Sequence, residues 1–255
     1  MNKAALAICA AVLLLPHVGR GSAIMEDHVE QTYELSSHAK VAIRNAAGRI
    51  HVHGSNESQL KIYASKRAFS QERLDAIEVR VTIEGDTAVI DTIYPPAPEG
   101  LLQDRSGTVD YRIYLPQSCT IDIAELANGE IFFDGLRGPS ATARLGNGRA
   151  VARNCFTALS IEVARGGMDI SYIWWEPGDF SLTAGIANGS IRLALPPDAA
   201  VEIAASTESG HIRSQFDEEK TPDTRERKIR VGADPGDILM NVRAGTGNIR
   251  IERSY

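Results

Sequence analysis

Two histidines separated by one residue are the side chains in this sequence best suited to hold a metal ion. In His51-Val52-His53, a β-strand would place both imidazoles on one face, about 6.5–7 Å apart. Zinc needs a third protein ligand, and none lies close in sequence. Ile50 and Val52 take the inward positions of the alternation, so both histidines are expected to face outward. We therefore predict no metal site and no cofactor, with His51 and His53 as weak metal candidates.

Both tryptophans of the chain lie in one aromatic segment, Tyr172-Ile173-Trp174-Trp175. Neighbouring side chains of a strand point to opposite faces, so at least one tryptophan is expected to be exposed. An exposed aromatic ring can stack on a sugar or anchor a partner protein, whereas the alternative is a hydrophobic plug that covers a turn. Tyr172, Trp174 and Trp175 are the candidate ligand-binding residues.

Motifs for catalysis are absent from the sequence, which has no Gly-x-Ser-x-Gly, His-Glu-x-x-His, phosphate loop or dinucleotide fingerprint. Asp122, Asp134 and Asp169 lie at offsets of −7, +5 and +3 from glycines of a repeat described next. At such different offsets they are not expected to form the carboxylate pair of a glycan-cleaving enzyme. We predict that the protein is not an enzyme; a carbohydrate-active β-helix enzyme is the less favoured alternative.

A glycine followed by alternating apolar residues recurs along the chain and must position all of these groups. The copies are centred on Gly48, Gly129, Gly148, Gly166, Gly189, Gly210 and Gly247. From Gly129 onward the spacings are 19, 18, 23, 21 and 37 residues, and a period near 20 is typical of repeat architectures. Each glycine can supply positive φ at a corner, after which alternate side chains point the same way.

The repeat predicts an all-β fold. One copy cannot bury its own apolar stripe, whereas stacked copies bury a shared core, with neighbouring strands about 4.8 Å apart. Because the copies repeat in the same order and direction, we favour a single-stranded parallel β-solenoid of ~20-residue rungs, preceded by a less regular N-terminal β part. The alternative is an antiparallel β-sandwich, since Asn-Gly pairs also favour hairpins.

Residues 1–23 have the features of a signal peptide, with Lys3 followed by an apolar run and a small-residue cleavage site. The apolar run is too short to span a bilayer as a helix, and we expect no integral membrane segment after cleavage. The predicted location is periplasmic, secreted or at the cell surface.

The remaining chain is divided by a Pro/Gly loop. Residues 24–105 are predicted to form an N-terminal β region with the first rungs and a hairpin. Residues 106–255 are predicted to form the repeat solenoid, interrupted by a charged loop at 216–228.

The acidic balance of the chain limits its partners. The formal charge is −6, from 27 basic and 33 acidic side chains, and loss of Lys3 and Arg20 with the signal would make it −8. This balance disfavours a nucleic acid or an anionic glycan as a broad electrostatic partner. Cys119 and Cys155 are two rungs apart in the repeat, about 9–10 Å, beyond the limit of about 7 Å for a disulfide. We predict two buried thiols.

The segment Tyr-Arg-Ile-Tyr-Leu-Pro at residues 111–116, with Ile-Asp-Ile-Ala-Glu-Leu-Ala-Asn-Gly-Glu-Ile-Phe-Phe-Asp-Gly-Leu-Arg-Gly at 121–138, resembles the bacterial "putative adhesin" or "toastrack" family of β-strand repeats. Further Asn-Gly-x-Ile copies extend the likeness over about residues 40–253, although Gly166-Gly167 lacks the asparagine. The resemblance implies an exported or surface-associated stack of β-rungs, without catalytic residues, that is linked in many bacteria to envelope-stress systems.

From this resemblance we expect an adhesin-like binding or scaffold module of the bacterial cell envelope. Its partner would be an envelope or surface protein or a glycan. An envelope-stress accessory protein is the alternative.

Overall fold

The computed structural model describes residues 24–96, 104–216, 218–219, 225–232 and 238–254, and nearly all of their regular structure is β-strand. The all-β fold class is therefore confirmed. The predicted signal peptide and part of the predicted charged loop lie outside the described residues. Within the described ranges, no helix has the length and apolarity needed to cross a membrane.

Each glycine repeat forms a rung, which we define as the strand or strand pair on both sides of one corner glycine. Five rungs are single long strands: β2 (Lys40–Ser55), β7 (Thr120–Asp134), β8 (Ser140–Arg153), β9 (Ala158–Ser171) and β10 (Ser181–Leu195). Two rungs are divided at the corner, into β11 (Val201–Ser209) with β12 (Ile212–Ser214), and β15 (Leu239–Thr246) with β16 (Ile249–Arg253).

The other strands extend the sheet at both ends of the stack of rungs. They are β1 (Met25–Glu34), β3 (Gln59–Ala68), β4 (Glu78–Glu84), β5 (Thr87–Ile93), β6 (Thr108–Pro116), β13 (Glu218–Glu219) and β14 (Glu226–Val231). β4 and β5 form an antiparallel hairpin, β3 pairs antiparallel with β1 and β6, and β5 and β6 pair in parallel with β2. A short helix, α1 (Gln71–Asp75), begins after Ser70, whose hydroxyl caps it.

The rungs pair in parallel with glycine beside glycine, which rules out an antiparallel arrangement of the rungs. The distant copy around Gly48 lies directly beside the Gly129 rung, so β2 joins β7 across the predicted boundary at residues 105–106. The division into two units and the closed winding of a single-stranded solenoid stay predictions. In space the sheet order from β2 is β2-β7-β8-β9-β10-β15-β11-β14.

The last rung lies out of chain order in the stack. β15 and β16 insert between β10 and the β11–β12 rung, so that Thr246 pairs with Asn188 on one side and with Ser209 on the other. The reason lies in the 37-residue interval before Gly247. This interval contains β14, which pairs antiparallel with the far edge of β11 and leaves the near edge for β15.

The corner glycines form a continuous column through the stack. In spatial order they are Gly48, Gly129, Gly148, Gly166, Gly189, Gly247 and Gly210. All have φ between +118° and +152°, where a side chain is strained. A Cβ on Gly148 would also lie only 1.8 Å from the carbonyl oxygen of Gly129. Each corner therefore requires glycine for two reasons: the backbone has positive φ, and there is no space for a Cβ atom.

Residues after the corner alternate between the core and the outer face, as the sequence predicts. The residue two positions after each glycine is buried, with at most 7% exposure; these residues are Ile50, Ile131, Ala150, Met168, Ile191, Ile249 and Ile212. Residues at the third position face outward and are half-buried or exposed; Arg192 and Arg250 are exposed. The stacked apolar positions form one shared core, which a single rung could not build.

Cys119 and Cys155 are buried and unpaired, which confirms the prediction of two buried thiols. Burial raises the pKa of the Cys119 thiol to about 11 and that of Cys155 to about 12. Both thiols are therefore protonated at neutral pH, which makes them poor nucleophiles.

Adjacent glycines in one rung test the corner requirement. Gly166→Ala should lower the free energy of unfolding by about 1–3 kcal/mol or more, because φ is +136° and the new Cβ would lie 1.8 Å from the Gly148 carbonyl oxygen. Gly167→Ala is the matched control, since nothing lies within 4 Å of its Cβ position, and it should change stability by less than about 0.5 kcal/mol. Urea unfolding followed by tryptophan fluorescence measures both. Equal losses in the two variants would contradict the role given to the column.

Candidate functional site

The predicted aromatic segment is a loop between β9 and β10, not a strand. Tyr172 is 0% exposed, and its hydroxyl donates a hydrogen bond of 3.2 Å to the Cys155 carbonyl. Trp175 packs against the core, with its ring centroid 5.2 Å from that of Phe180. Tyr172 is therefore part of the core and cannot itself face a ligand, which corrects its place among the candidate ligand-binding residues.

Trp174 is the exposed member of the predicted set. Its side chain is 45% exposed, and the neighbouring Ile173 is 51% exposed. The expectation that at least one tryptophan is exposed is thus confirmed. The indole Nε1–H donates to Oε1 of Glu176 at 2.7 Å, and Arg137 donates to the same carboxylate through Nη2 at 2.6 Å and Nε at 3.1 Å. We call Ile173, Trp174, Glu176 and Arg137 the aromatic corner.

The ion pair fixes the aromatic corner. Hydrogen bonds from the Arg137 guanidinium lower the pKa of the Glu176 carboxyl, so this group is ionised at neutral pH. Arg137 also lies over the ring of Phe156, 5.5 Å from its centroid, a cation–π contact. The exposed indole is therefore held in one orientation by a bonded carboxylate.

The two candidate metal ligands face outward from β2, as predicted, but each contacts its own carboxylate on β7. Nε2 of His51 lies 2.8 Å from Oε1 of Glu130, and Nδ1 of His53 lies 3.4 Å from Oδ2 of Asp134. Asp134 in turn accepts two hydrogen bonds from Arg153, at 2.9 and 2.7 Å. In the part of the chain that the structure describes, no group of three or more His, Cys, Asp or Glu side chains is placed to hold a metal.

Rings from four neighbouring strands touch on the same outer face. His53 stacks on Tyr114 with centroids 5.1 Å apart, Tyr114 meets Tyr63 edge-on at 6.2 Å, and His53 meets Phe132 at 5.4 Å. His51 also contacts Phe132, at 5.5 Å. We call these five residues the outer strip.

The sequence reasoning missed Tyr63, Tyr114 and Phe132. Phe132 had a usable signal, because it stands three residues after its corner glycine, as His51 does. The tyrosines lie on β3 and β6, outside the repeat, and no spacing in the sequence shows that β6 pairs with β2.

A groove of about 1320 Å³ crosses the rungs on the side before their corners. One wall is a row of residues that stand four positions before the corner glycines and alternate in charge between paired strands: Arg44, Glu125, Arg144 and Glu162. At the end of this row Arg44 forms an ion pair of 3.2 Å with Asp91 of β5. Opposite charges side by side on neighbouring strands favour in-register pairing, so we assign this row a structural role.

The three acids considered for catalysis are not brought together. Asp169 forms an ion pair with Arg149 at 2.7 Å, Asp134 forms one with Arg153, and Asp122 is exposed. A catalytic general acid is usually a carboxyl group whose pKa is raised. The carboxyl pKa values that shift in the described residues all move down, at Asp104, Asp134 and Glu176, mainly through hydrogen bonds to the ionised form.

A known structure is similar to this fold. A crystal structure of a putative cell adhesion protein from Clostridium sporogenes ATCC 15579 is 16% identical, covers 90% of this chain and 100% of its own, and superposes with a TM-score of 0.57. At this identity the likeness shows the fold alone, and at that level it confirms the resemblance seen in the sequence.

A putative adhesin from Bacteroides fragilis NCTC 9343 is also matched, at 12% identity over 88% of this chain and 97% of its own. Its TM-score of 0.29 is too low to carry an argument. No protein-family model and no curated protein matches the chain.

Titration of His53 should make the stability of the folded protein depend on pH. Burial lowers the pKa of His53 below its usual 6.5, outweighing the opposing effect of Asp134, so the unfolded chain takes up this proton more readily. Stability from this source is present above about pH 6.5 and is lost as pH falls towards the folded-state pKa. Urea unfolding between about pH 5 and pH 8 should show a shallower pH slope for His53→Gln than for wild type. His211→Gln, at an exposed position, is the control; a His53→Gln slope as steep as that of wild type would refute the assignment.

Proposed function

We propose that this protein is an exported, non-catalytic, adhesin-like binding module of the bacterial cell envelope. It presents a rigid, strand-built surface to another envelope or surface component. The observation that carries this proposal is the aromatic corner, where two adjacent large apolar side chains, Ile173 and Trp174, are about half exposed.

The construction of the aromatic corner supports a binding role. Exposed tryptophans are favoured anchors of protein and ligand contacts. The Trp174 indole donates a hydrogen bond to the Glu176 carboxylate, and the Arg137 guanidinium donates to the same carboxylate. These hydrogen bonds order the indole ring in the unbound protein. Less entropy is lost on binding when an anchor is already ordered.

Two further observations support the adhesin-like and non-catalytic parts of the proposal. The shifted carboxyl groups in the described residues are ionised more readily than usual, opposite to the direction that an acid catalyst needs. The Clostridium sporogenes protein of similar fold carries the name of a putative cell adhesion protein.

Replacing the anchor tests the proposal. Trp174→Ala should weaken binding to isolated bacterial envelopes by about 30-fold, since a buried anchor is worth about 2 kcal/mol or more. Phe69→Ala is the matched control, because Phe69 is also exposed, at 58%, but lies far along the chain at the start of α1. If Trp174→Ala binds as tightly as wild type, the aromatic corner is not the contact surface.

Export is tested separately, by fractionating cells that express the full chain. Recovery of a form cleaved near residue 23 from the periplasm, medium or cell surface is the expected result. Uncleaved protein confined to the cytoplasm would contradict the envelope location.

A further inference from the structure

The outer strip runs across the sheet from one strand to the next. The strand register places Tyr114 beside His53, and His51 beside Phe132, so one ring follows another from β3 through β6 and β2 to β7. Tyr63, at the end of the strip, is 38% exposed. The other four rings are half-buried, and the guanidinium of Arg153 lies over Phe132, 5.4 Å from the ring centroid. The accessible aromatic surface is therefore at the Tyr63 and Tyr114 end of the strip.

Core packing does not account for these rings. The inward positions of the same four strands are filled by residues that are 0% exposed, namely Ile62, Ile113, Val52 and Phe133. The core beneath the strip is therefore complete without the outer rings. His51, His53 and Phe132 also contact Glu130, Asp134 and Arg153 on neighbouring strands, whereas the ring of Tyr63 contacts only Tyr114 among the aromatic pairs of the described residues.

Polar groups converge beside the exposed end of the strip. A dish of about 460 Å³ is lined by both tyrosines together with Ser55, Glu57, Gln59, Lys61 and Arg112. Lys61 and Glu57 form an ion pair. The exposed Arg112 has no hydrogen bond or ion pair to any residue that the structure describes, so its planar fork of donors is available to a ligand.

An aromatic ring next to planar hydrogen-bond donors and acceptors is complementary to the apolar face and the polar edge of a sugar ring. The C–H face of a pyranose stacks on an aromatic ring, and its equatorial hydroxyls bond in the plane to groups such as carboxylate, amide and guanidinium. Arg112 could also donate two parallel hydrogen bonds to the carboxylate of a uronic acid. Nucleic acid bases stack on aromatic rings too, but the formal charge of −6 disfavours any polyanion as a broad electrostatic partner. A uronic acid would therefore be recognised locally, through Arg112.

We propose that the outer strip and its dish form a carbohydrate-binding platform for a pyranose glycan. Tyr63 and Tyr114 supply the stacking surface, and Arg112 with Gln59 supplies hydrogen bonds to hydroxyl or carboxylate groups. This proposal deepens the binding function proposed above by naming a ligand class, but it rests on residues outside the aromatic corner.

Affinity electrophoresis through gels containing single polysaccharides tests the platform. Mixed-linkage β-glucan, hydroxyethyl cellulose and mannan represent neutral glycans; polygalacturonate and alginate represent uronic acids. We expect retardation of the wild-type chain by at least one of these five, weakened about tenfold or more in Tyr63→Ala and restored in Tyr63→Phe, which keeps the ring. Arg112→Ala should weaken binding as well, and selectively for the uronic acids if a carboxylate is the group recognised.

Trp174→Ala separates this platform from the aromatic corner, because it should leave retardation by the polysaccharide unchanged. Thermal unfolding of every variant checks that the fold is intact. If Tyr63→Ala is unstable, Arg112→Ala decides the test, because the Arg112 side chain makes no hydrogen bond or ion pair to any residue that the structure describes. Retardation by none of the five polysaccharides overturns the platform while leaving the aromatic corner untouched. Equal retardation of wild type, Tyr63→Ala and Arg112→Ala overturns it too.

Discussion

The close approach of one corner glycine to the next is the constraint on which the rest of this structure depends. The carbonyl oxygen of Gly129 fills the space that a Cβ of Gly148 would need, and the same relation repeats between neighbouring corners. Because no other residue meets both the angle and the space, every rung must bend at the same height. Pairing is thereby locked into one register, since a slip of one residue would place a side chain against a carbonyl and turn the apolar face outward.

Because the register is fixed, residues at the same offset from their corner glycines line up across the stack and form continuous surfaces. Residues four positions before the first four corners of the stack, Gly48 to Gly166, become a row of alternating charge, and residues after the corner become a buried column and an outer face. Binding surfaces can therefore vary on the outer face while the core and column stay the same. The aromatic corner and the outer strip use this freedom differently: the first is carried by a loop between rungs, the second by the flat face of the sheet.

The sequence was sufficient to predict the features that recur in every repeat, but not the contacts made by residues outside the repeat. The glycine corners, the inward positions such as Ile191, the buried thiols and the all-β class follow from spacing and alternation. Tyr172 was misplaced because the segment was treated as a strand, whereas a hydrogen bond to Cys155 holds it in the core at a rung end. The outer strip was missed because it depends on long-range pairing between β3, β6 and β2. Local periodicity carries no information about such partners.

The insertion of the last rung has a consequence for how the chain is assembled. β11 emerges about forty residues before β15, the strand that will separate it from β10. β10 and the β11–β12 rung are therefore successive in the chain but are not hydrogen-bonded to each other, because β15 and β16 pair with both. The outer edge of β11 is occupied by β14. Joining the two parts of the sheet thus requires contacts between segments far apart in sequence, and such long-range pairing is slow compared with local pairing.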